Sequence, residues 1–340
     1  MDVTELQTEA AEWDAFVRTS AEGTPFHLTA WKGAVEESFG HRSHYLMAKR
    51  AGTIEGVLPL FEVSGWRGGR SLISVPYGVY GGICAATDEA RLALLEAAEM
   101  LAQRRRAEYV ELRNLHDHGI ALPTKQLYVT FFKEISSDDE ANLKAIPRKQ
   151  RRMIRQGEKH GLHAEIGQEN LDEFYKIYAR SVRNLGSPVF PRTLFQAILT
   201  AFGKECQILV VRHEGRIVAG VLTLFYEDRV LPYYGGALRE AFQYAVNDFM
   251  YWELMRHAAA AGYRIFDFGR SRVGTGSYEF KRHWGFEPRP LPYQYLLTRV
   301  RSLPDLNPSN PRFRWAIQAW KRLPLAFTNR VGPWLTRYLP

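Results

Sequence analysis

The stretch GTIEGVLPLF, Gly52–Phe61, returns 164 positions later as GRIVAGVLTLF, Gly215–Phe225, with five of the last six residues identical. The correspondence continues outward in the same order. SVPYGVYGGI (74–83) answers VLPYYGGAL (230–238), and AQRRRAEYVELRN (102–114) answers AAAAGYRIFDFGR (258–270). Each copy predicts an apolar strand, a glycine-centred turn, a second strand, a strand ending at Tyr-Gly-Gly, a helix and another strand. Short glycine–aliphatic strings recur by chance, but three matches in one order argue for descent from a single unit. A repeat this long marks a duplicated domain rather than a solenoid, and it implies two α/β units of roughly 150 residues each.

Local signals agree. QILVVRHEGRIVAGVLTLFY sets two β-branched runs on either side of HEGR, a hairpin turn signal. Residues 245–261 place Phe249, Trp252, Leu254 and Met255 near helical spacing, and Gly262 supplies the stop. YRIFDF follows as a short strand. Pro147 suits the first turn of a helix that runs through RKQRRMIRQGEKHG to Gly161. The predicted boundaries are therefore 1–145, 146–298 and a tail at 299–340, with Pro304, Pro308 and Pro311 marking the linker.

Bulk properties narrow the class. A chain of 340 residues exceeds the usual single core, and 46% apolar with 24% charged residues is ordinary for a globular protein. Cys84 and Cys206 make no disulfide framework and, without histidines at ligand spacing, no metal site. The opening MDVTELQTEAAEWDAF lacks a basic or apolar leader, and no apolar run nears the roughly 20 residues that span a bilayer. A cytoplasmic location is expected. The charge is concentrated: of the net +8, residues 299–340 supply eight Lys/Arg against Asp305 alone, which leaves +1 for residues 1–298.

Strand, hairpin, strand, helix and strand, followed by SYEFKRHWGF (277–286) and the strand YQYLLTRV (293–300), resembles a GNAT acyltransferase domain written twice. Two such domains in tandem resemble the FemAB family, the peptidoglycan-bridge aminoacyltransferases, over about residues 24–298. FHLTAWKGAVEESFGHR, RKQRRMIRQGEKHGL, YYGGAL and FDFGRS…YEFKRHWGF carry the likeness. The last wording is most similar to the FemAB-related proteins of exosortase (PEP-CTERM) systems in Gram-negative bacteria. The resemblance implies an α/β (α+β) fold of two tandem GNAT-like domains with a basic, aromatic tail. It also implies an enzyme forming an amide between an activated acyl or aminoacyl donor and an amine on a cell-envelope or surface-polymer precursor.

The family's Phe-Lys pair matches Phe280-Lys281, so the resemblance places the Lys281 ammonium beside the oxyanion or the ribose–phosphate of the donor, where charge stabilisation matters most. The residues alone also fit an amphipathic helix with Tyr278 and Phe280 partly buried and Lys281 solvated. Between strand and helix, Gly274, Gly276, Ser277 and Tyr278, flanked by Arg270 and Arg272, form a turn that either faces a phosphate with its amides or only permits a tight corner. Asp267 ends a strand, placed to accept a proton from the amine or to cap the turn; Glu111 stands at the same place in the first copy. Arg148, Arg152 and Arg155 share one helix face suited to phosphate, although such runs are commonly only solvated. Tyr234, in the Tyr-Gly-Gly strand, completes the expected substrate-binding set.

No bound cofactor is expected; the donor is aminoacyl-tRNA or acyl-CoA. ALREAFQYAVND, after Tyr-Gly-Gly, lacks the glycine-rich pyrophosphate signature of acyl-CoA-dependent GNAT domains, as does ICAATDEARLA in the first copy. The family's coiled-coil arm is missing too, and no sequence-specific nucleic-acid binding is expected. RFRWAIQAWKRLPLAFTNRVGPWLTRYLP combines indoles with cations and no acids, with Phe313, Ile317 and Trp320 on one helical face. This pattern predicts peripheral contact of 312–340 with an anionic membrane, the inner face of the cytoplasmic membrane, over packing on the body. Two readings compete with the Fem-like enzyme: an acyl-CoA-dependent GNAT N-acyltransferase, and a non-catalytic double-GNAT scaffold at the membrane surface.

Overall fold

The computed structural model describes residues 1–66, 68–304 and 311–339, with side chains from residue 315 onward in the last stretch. The chain divides into two compact units. The first comprises Met1–Tyr128 with Pro290–Leu306 and Leu335–Pro340; the second comprises Val129–Arg289 with Asn307–Trp334.

In the first unit one sheet runs in the order Asp2–Glu5, Arg42–Arg50, Thr53–Ser64, Arg70–Ile73, Tyr109–Arg113, Tyr293–Leu297, Thr124–Lys125. All neighbours are antiparallel except Arg70–Ile73 and Tyr109–Arg113, which pair in parallel at Leu72↔Val110 and Ile73↔Glu111. The helix Asp88–Arg105 starts at a Thr87 cap whose hydroxyl accepts from the Ala90 N–H. Its Leu94, Ala98 and Leu101 join Leu46, Leu58 and Leu60 of the sheet in one core.

The second unit repeats this plan in the order His163–Gly167, Cys206–His213, Arg216–Tyr226, Arg229–Ala237, Ile265–Asp267, Phe132–Glu134. Its parallel pair, Arg229–Ala237 with Ile265–Asp267, is again only two rungs long, Arg229↔Ile265 and Val230↔Phe266. The helices Arg148–Lys159 and Val246–Ala260 contribute Ile154, Phe249, Met250 and Leu254 to the core on this sheet. The expected hairpin turns at Glu214-Gly215, with φ of 50° and 77°, the left-handed pair that a two-residue loop requires.

The repeated glycine has a packing reason. A Cβ on Gly56 would sit 2.9 Å from Leu94 Cδ1, and one on Gly220 would sit 2.9 Å from Phe174 Cδ2. Both strands leave room for a large helix side chain to reach the backbone.

Three features differ from the sequence expectations. First, SVPYGVYGGI is no strand. The strand stops at Ile73, and Ser74–Ile83 is a buried loop whose Val75 and Gly78 carbonyls accept from Arg113 Nη1, at 3.0 and 2.9 Å. Second, the units do not part at 145/146 and 298/299. Phe132–Glu134, which follows the first repeat, pairs antiparallel with Ile265–Asp267 of the second unit; Tyr293–Leu297, which follows the second repeat, pairs with Tyr109–Arg113 of the first. The sheets exchange their last strands, so sequence order and spatial unit diverge there.

Third, the tail is no separate segment. Its helices, Pro311–Arg322 and Leu325–Thr336, hold to the body. Trp320 Nε1 donates to Ser187 O at 3.0 Å, Arg183 Nη1 donates to Lys321 O at 2.9 Å, and Ile317 lies over Gly186. Ile317 and Trp320 thus face protein, whereas Trp315 stays 86% exposed. Pro308 lies outside the described residues, as do the side chains of Pro311, Arg312, Phe313 and Arg314. Among the described residues no helix is long and apolar enough to cross a membrane.

Candidate active site

The site grows from the end of the short parallel pair. Once Ile265–Asp267 leaves its neighbour after two rungs, the backbone beyond it has carbonyls that no strand satisfies, and a buried carbonyl needs a donor. Gly269 adopts φ +68°, and its N–H donates to Asp267 Oδ1 at 2.8 Å. That left-handed turn presents the carbonyls of Gly269 and Arg270 to one side chain: Lys281 Nζ donates to them at 2.9 and 3.1 Å.

Lys281 sits on the helix Gly276–His283, capped by Thr275, whose hydroxyl accepts from the Tyr278 N–H at 3.4 Å. The lysine is 9% exposed, with Nζ 5.7 Å from the centre of the Phe131 ring. Burial pushes its ammonium down to about 7, opposed by the Asp267 carboxylate and reinforced by Arg270. Of three ammonium donors two are used, and among the described residues the third has no acceptor. The solvated alternative for Lys281 is thereby excluded.

Aromatic packing holds this helix in place. Phe280 lies within 6.2 Å, ring centre to ring centre, of Tyr251, Phe268 and Trp284. The Trp284 indole is fully buried and donates to Asp248 Oδ1 at 3.0 Å. Burial raises Asp248 to about 6, and it raises the Tyr251 phenol to about 12. A Cβ on Gly235 would lie 3.5 Å from the Tyr251 hydroxyl, so this phenol reaches the Gly-Gly part of the neighbouring strand. Sequence reasoning passed over Asp248, Tyr251 and Trp284. An acid in the first turn of a helix rich in large apolar residues, and an indole three residues after the Phe-Lys pair's lysine, are the available signals.

The structure brings some of the sequence-derived residues together and leaves others apart. Asp267, Phe280, Lys281 and Tyr278, whose ring is 5.6 Å from Phe131, form one cluster. Gly274 (φ +77°) and Gly276 turn into the helix with open space around both, and Ser277 is exposed. Arg270 and Arg272 are half-buried. Tyr234 is elsewhere: it is 7% exposed and packed among Tyr178, Phe190 and Phe195, a core position in a different aromatic group. Arg148, Arg152 and Arg155 are exposed and make no side-chain hydrogen bond or ion pair among the described residues. The start of their helix abuts the site's outer end, since a Cβ on Gly285 would lie 3.2 Å from Pro147 Cδ.

The equivalent place in the first unit is filled. Arg113, 4% exposed, donates through Nε to Glu111 Oε1 at 2.8 Å, and the Tyr295 hydroxyl donates to Glu111 Oε2 at 3.0 Å. Asn114 bridges the Ile83 N–H and the Gln294 side chain.

Comparison with known proteins places the fold. Residues 145–282 match the model of the acetyltransferase (GNAT) domain family. FemX superposes with a TM-score of 0.68 at 16% identity, covering 88% of this chain and 98% of FemX. The C-terminal domain of a putative lysylphosphatidylglycerol synthetase from Agrobacterium fabrum superposes at 0.56 and 16% identity, covering 84% and 91%. A tandem GNAT protein from the clavulanic acid biosynthesis pathway gives 0.56 at 12% identity, covering 88% and 99%. No curated protein matches in sequence. The chain has the tandem GNAT fold of the Fem type, and its recognisable acetyltransferase (GNAT) domain is the unit that carries Lys281.

Proposed function

We propose that this chain is an N-acyltransferase of the Fem type, acting through its second unit. The observation that carries the reading is the buried ammonium of Lys281, fixed by two carbonyls with one N–H to spare. In amide formation an amine attacks the acyl carbon and the carbonyl electron pair moves to oxygen. The tetrahedral oxyanion then collapses, expelling the donor's leaving group, and the proton lost by the new C–N centre passes to that departing alkoxide or thiolate. A preorganised cation aimed at that oxygen is worth most where water is excluded. Lys281 is held in place by its two carbonyls and is largely shielded from water, and we assign its third N–H to that oxygen. Asp267 acts on Lys281 rather than on the amine: nearly fully buried and committed to the Gly269 N–H, its carboxylate favours the charged lysine. Phe280 positions the lysine by packing. Arg270, Arg272 and the open turn at Gly274–Ser277 are assigned to the donor's phosphate-bearing part, and Arg148, Arg152 and Arg155 to a more distant part of the same ligand.

The acceptor we assign is an amine on a cell-envelope or surface-polymer precursor, in the setting of surface-polymer assembly such as exosortase systems. The donor we assign is an aminoacyl-tRNA; FemX and the lysylphosphatidylglycerol synthetase domain as structural neighbours and the missing glycine signature after Tyr-Gly-Gly support it. Acyl-CoA is the second reading, supported by the GNAT match and by the tandem GNAT neighbour. A peripheral position on the inner face of the cytoplasmic membrane is part of the proposal. It now rests on the exposed Trp315, Phe327 and Trp334 with the exposed Arg322 and Arg330. Purified protein offered isotope-labelled charged tRNA or acyl-CoA, each with amine-bearing envelope extract, tests the assignment. Label entering an amide from charged tRNA alone supports the first donor, and from acyl-CoA alone the second. No transfer from either refutes the enzyme.

A further inference from the structure

The second unit holds a cavity of about 350 Å³ away from the residues of the Lys281 site. It is lined by Arg180, Arg183 and Asn184 of the helix Leu171–Leu185, by Arg239 and Glu240 of the turn Arg239–Tyr244, and by Lys321 of the tail helix. Four cations thus meet one carboxylate. Glu240 is taken by Arg180, at 3.3 Å. Among the described residues Arg239 and Lys321 have no acceptor. Arg183 spends Nη1 on the Lys321 carbonyl, and its buried Nε has no partner among the described residues.

Like charges gathered around an empty space repel one another, and a buried guanidinium N–H without an acceptor is costly. Helix-surface residues that only needed solvation would point apart. Here the convergence is enforced by the tail: Trp320 bonded to Ser187 and Ile317 seated on Gly186 fix the helix that delivers Lys321. At φ +89°, with Ile317 Cγ2 and Lys321 Cε close to where a Cβ would stand, Gly186 is the residue that lets the tail approach. The volume is within the usual range for a small-ligand pocket, and guanidinium forks match phosphate oxygens.

We propose that this cavity binds a phosphate-bearing anion of two or more charges, a diphosphate before a monoanion, and that the tail helix is an integral wall of the site. The inference concerns binding and stands whether or not acyl transfer is demonstrated. The tail, on this account, is held to the body because it completes a ligand site.

The test is calorimetric titration of inorganic pyrophosphate into the full-length protein, alongside Arg239→Gln, Lys321→Gln and Arg183→Gln. Lys204→Gln, in a different surface depression of the same unit, serves as control. Arg239 is exposed and unpartnered, so its replacement leaves folding intact even if Arg183→Gln does not. Pyrophosphate binding at least ten-fold weaker in Arg239→Gln and Lys321→Gln, with Lys204→Gln unchanged, is the expected result. A second arm uses phosphatidylcholine vesicles containing phosphatidylglycerol. Vesicle binding lost in the same variants and displaced by pyrophosphate identifies a lipid headgroup as the source of the phosphate; vesicle binding unaffected by them identifies a soluble ligand. Pyrophosphate and vesicles both failing to distinguish the cavity variants from wild type and from Lys204→Gln would overturn the site.

Discussion

The two repeats part company at one place. In both, a parallel strand pair is only two rungs long and an acid stands at its end: Glu111 in the last rung of the first unit, Asp267 just past the last rung of the second. Two residues on, the first unit has Arg113 and the second has Gly269. Arg113 turns back into its own unit and bonds Glu111, Val75 and Gly78, so a side chain of the strand itself fills this place. Gly269 has no side chain to offer. Its carbonyl and that of Arg270 are satisfied from outside by Lys281, which arrives on a separate helix and retains an unused donor. Duplication preserved the fold, and the Arg113/Gly269 difference decided which copy satisfies its turn carbonyls from its own strand and which needs a lysine from a separate helix. The first copy spends its cation on Glu111 and two loop carbonyls; in the second, one Lys281 N–H has no acceptor among the described residues.

Breaking the Arg113 contacts of the first copy gives the largest effect. Arg113→Met leaves Glu111 buried with only the Tyr295 hydroxyl and takes a donor from the Val75 and Gly78 carbonyls, and is expected to cost about 3–5 kcal/mol in urea unfolding. Turnover per folded molecule stays near wild type. A large loss of turnover without loss of stability would instead put chemistry in the first unit.

The Lys281 charge gives the next effect, and its sign follows from linkage. Burial lowers Lys281 from the ordinary 10.5 to about 7, so between those values the unfolded chain holds a proton that the folded chain has released. Stability contributed through this residue therefore rises with pH from about 7 to 10.5, and is lower on the acid side where the ammonium must be buried charged. Lys281→Met flattens that rise relative to wild type in unfolding measured across the window. An unchanged slope would mean that the lysine is not desolvated.

Substituting the shared glycines should affect the copies equally. Gly56→Ala and Gly220→Ala each force a methyl to within 2.9 Å of a core side chain, Leu94 or Phe174, and each is expected to cost about 1–3 kcal/mol. A gap much wider than that range between the two would show that the repeats no longer share their packing.

Much of this was legible in the residues, for reasons that are local. Glu214-Gly215 announces its hairpin because only a left-handed pair closes so short a turn. Val246–Ala260 and its Gly262 stop, and Pro147 ahead of Arg148–Lys159, are likewise local signals. What failed was non-local. SVPYGVYGGI resembles a strand by analogy with VLPYYGGAL, but Arg113, 35 residues after Gly78 and 38 after Val75, claims their carbonyls for a loop. Phe132–Glu134 and Tyr293–Leu297 carry nothing in their own sequence that names the sheet each will join. Nothing in the tail's own residues names the packing that seats Trp320 on Ser187 and Ile317 on Gly186, partners more than a hundred residues away. In the site, Phe280-Lys281 was legible as a pair. The burial of Lys281 was not, because it depends on carbonyls freed by a strand that ends early; nor was the loss of Tyr234 to a separate aromatic core.

The central claim is that the second unit's Lys281 stabilises the charge that develops during amide formation. The direct measurement is single-turnover transfer of labelled acyl group by wild type and Lys281→Ala, each normalised to folded protein by circular dichroism. The account predicts a transfer rate at least about ten-fold lower in the variant, with the folded fraction retained. Equal rates in the two proteins would contradict it.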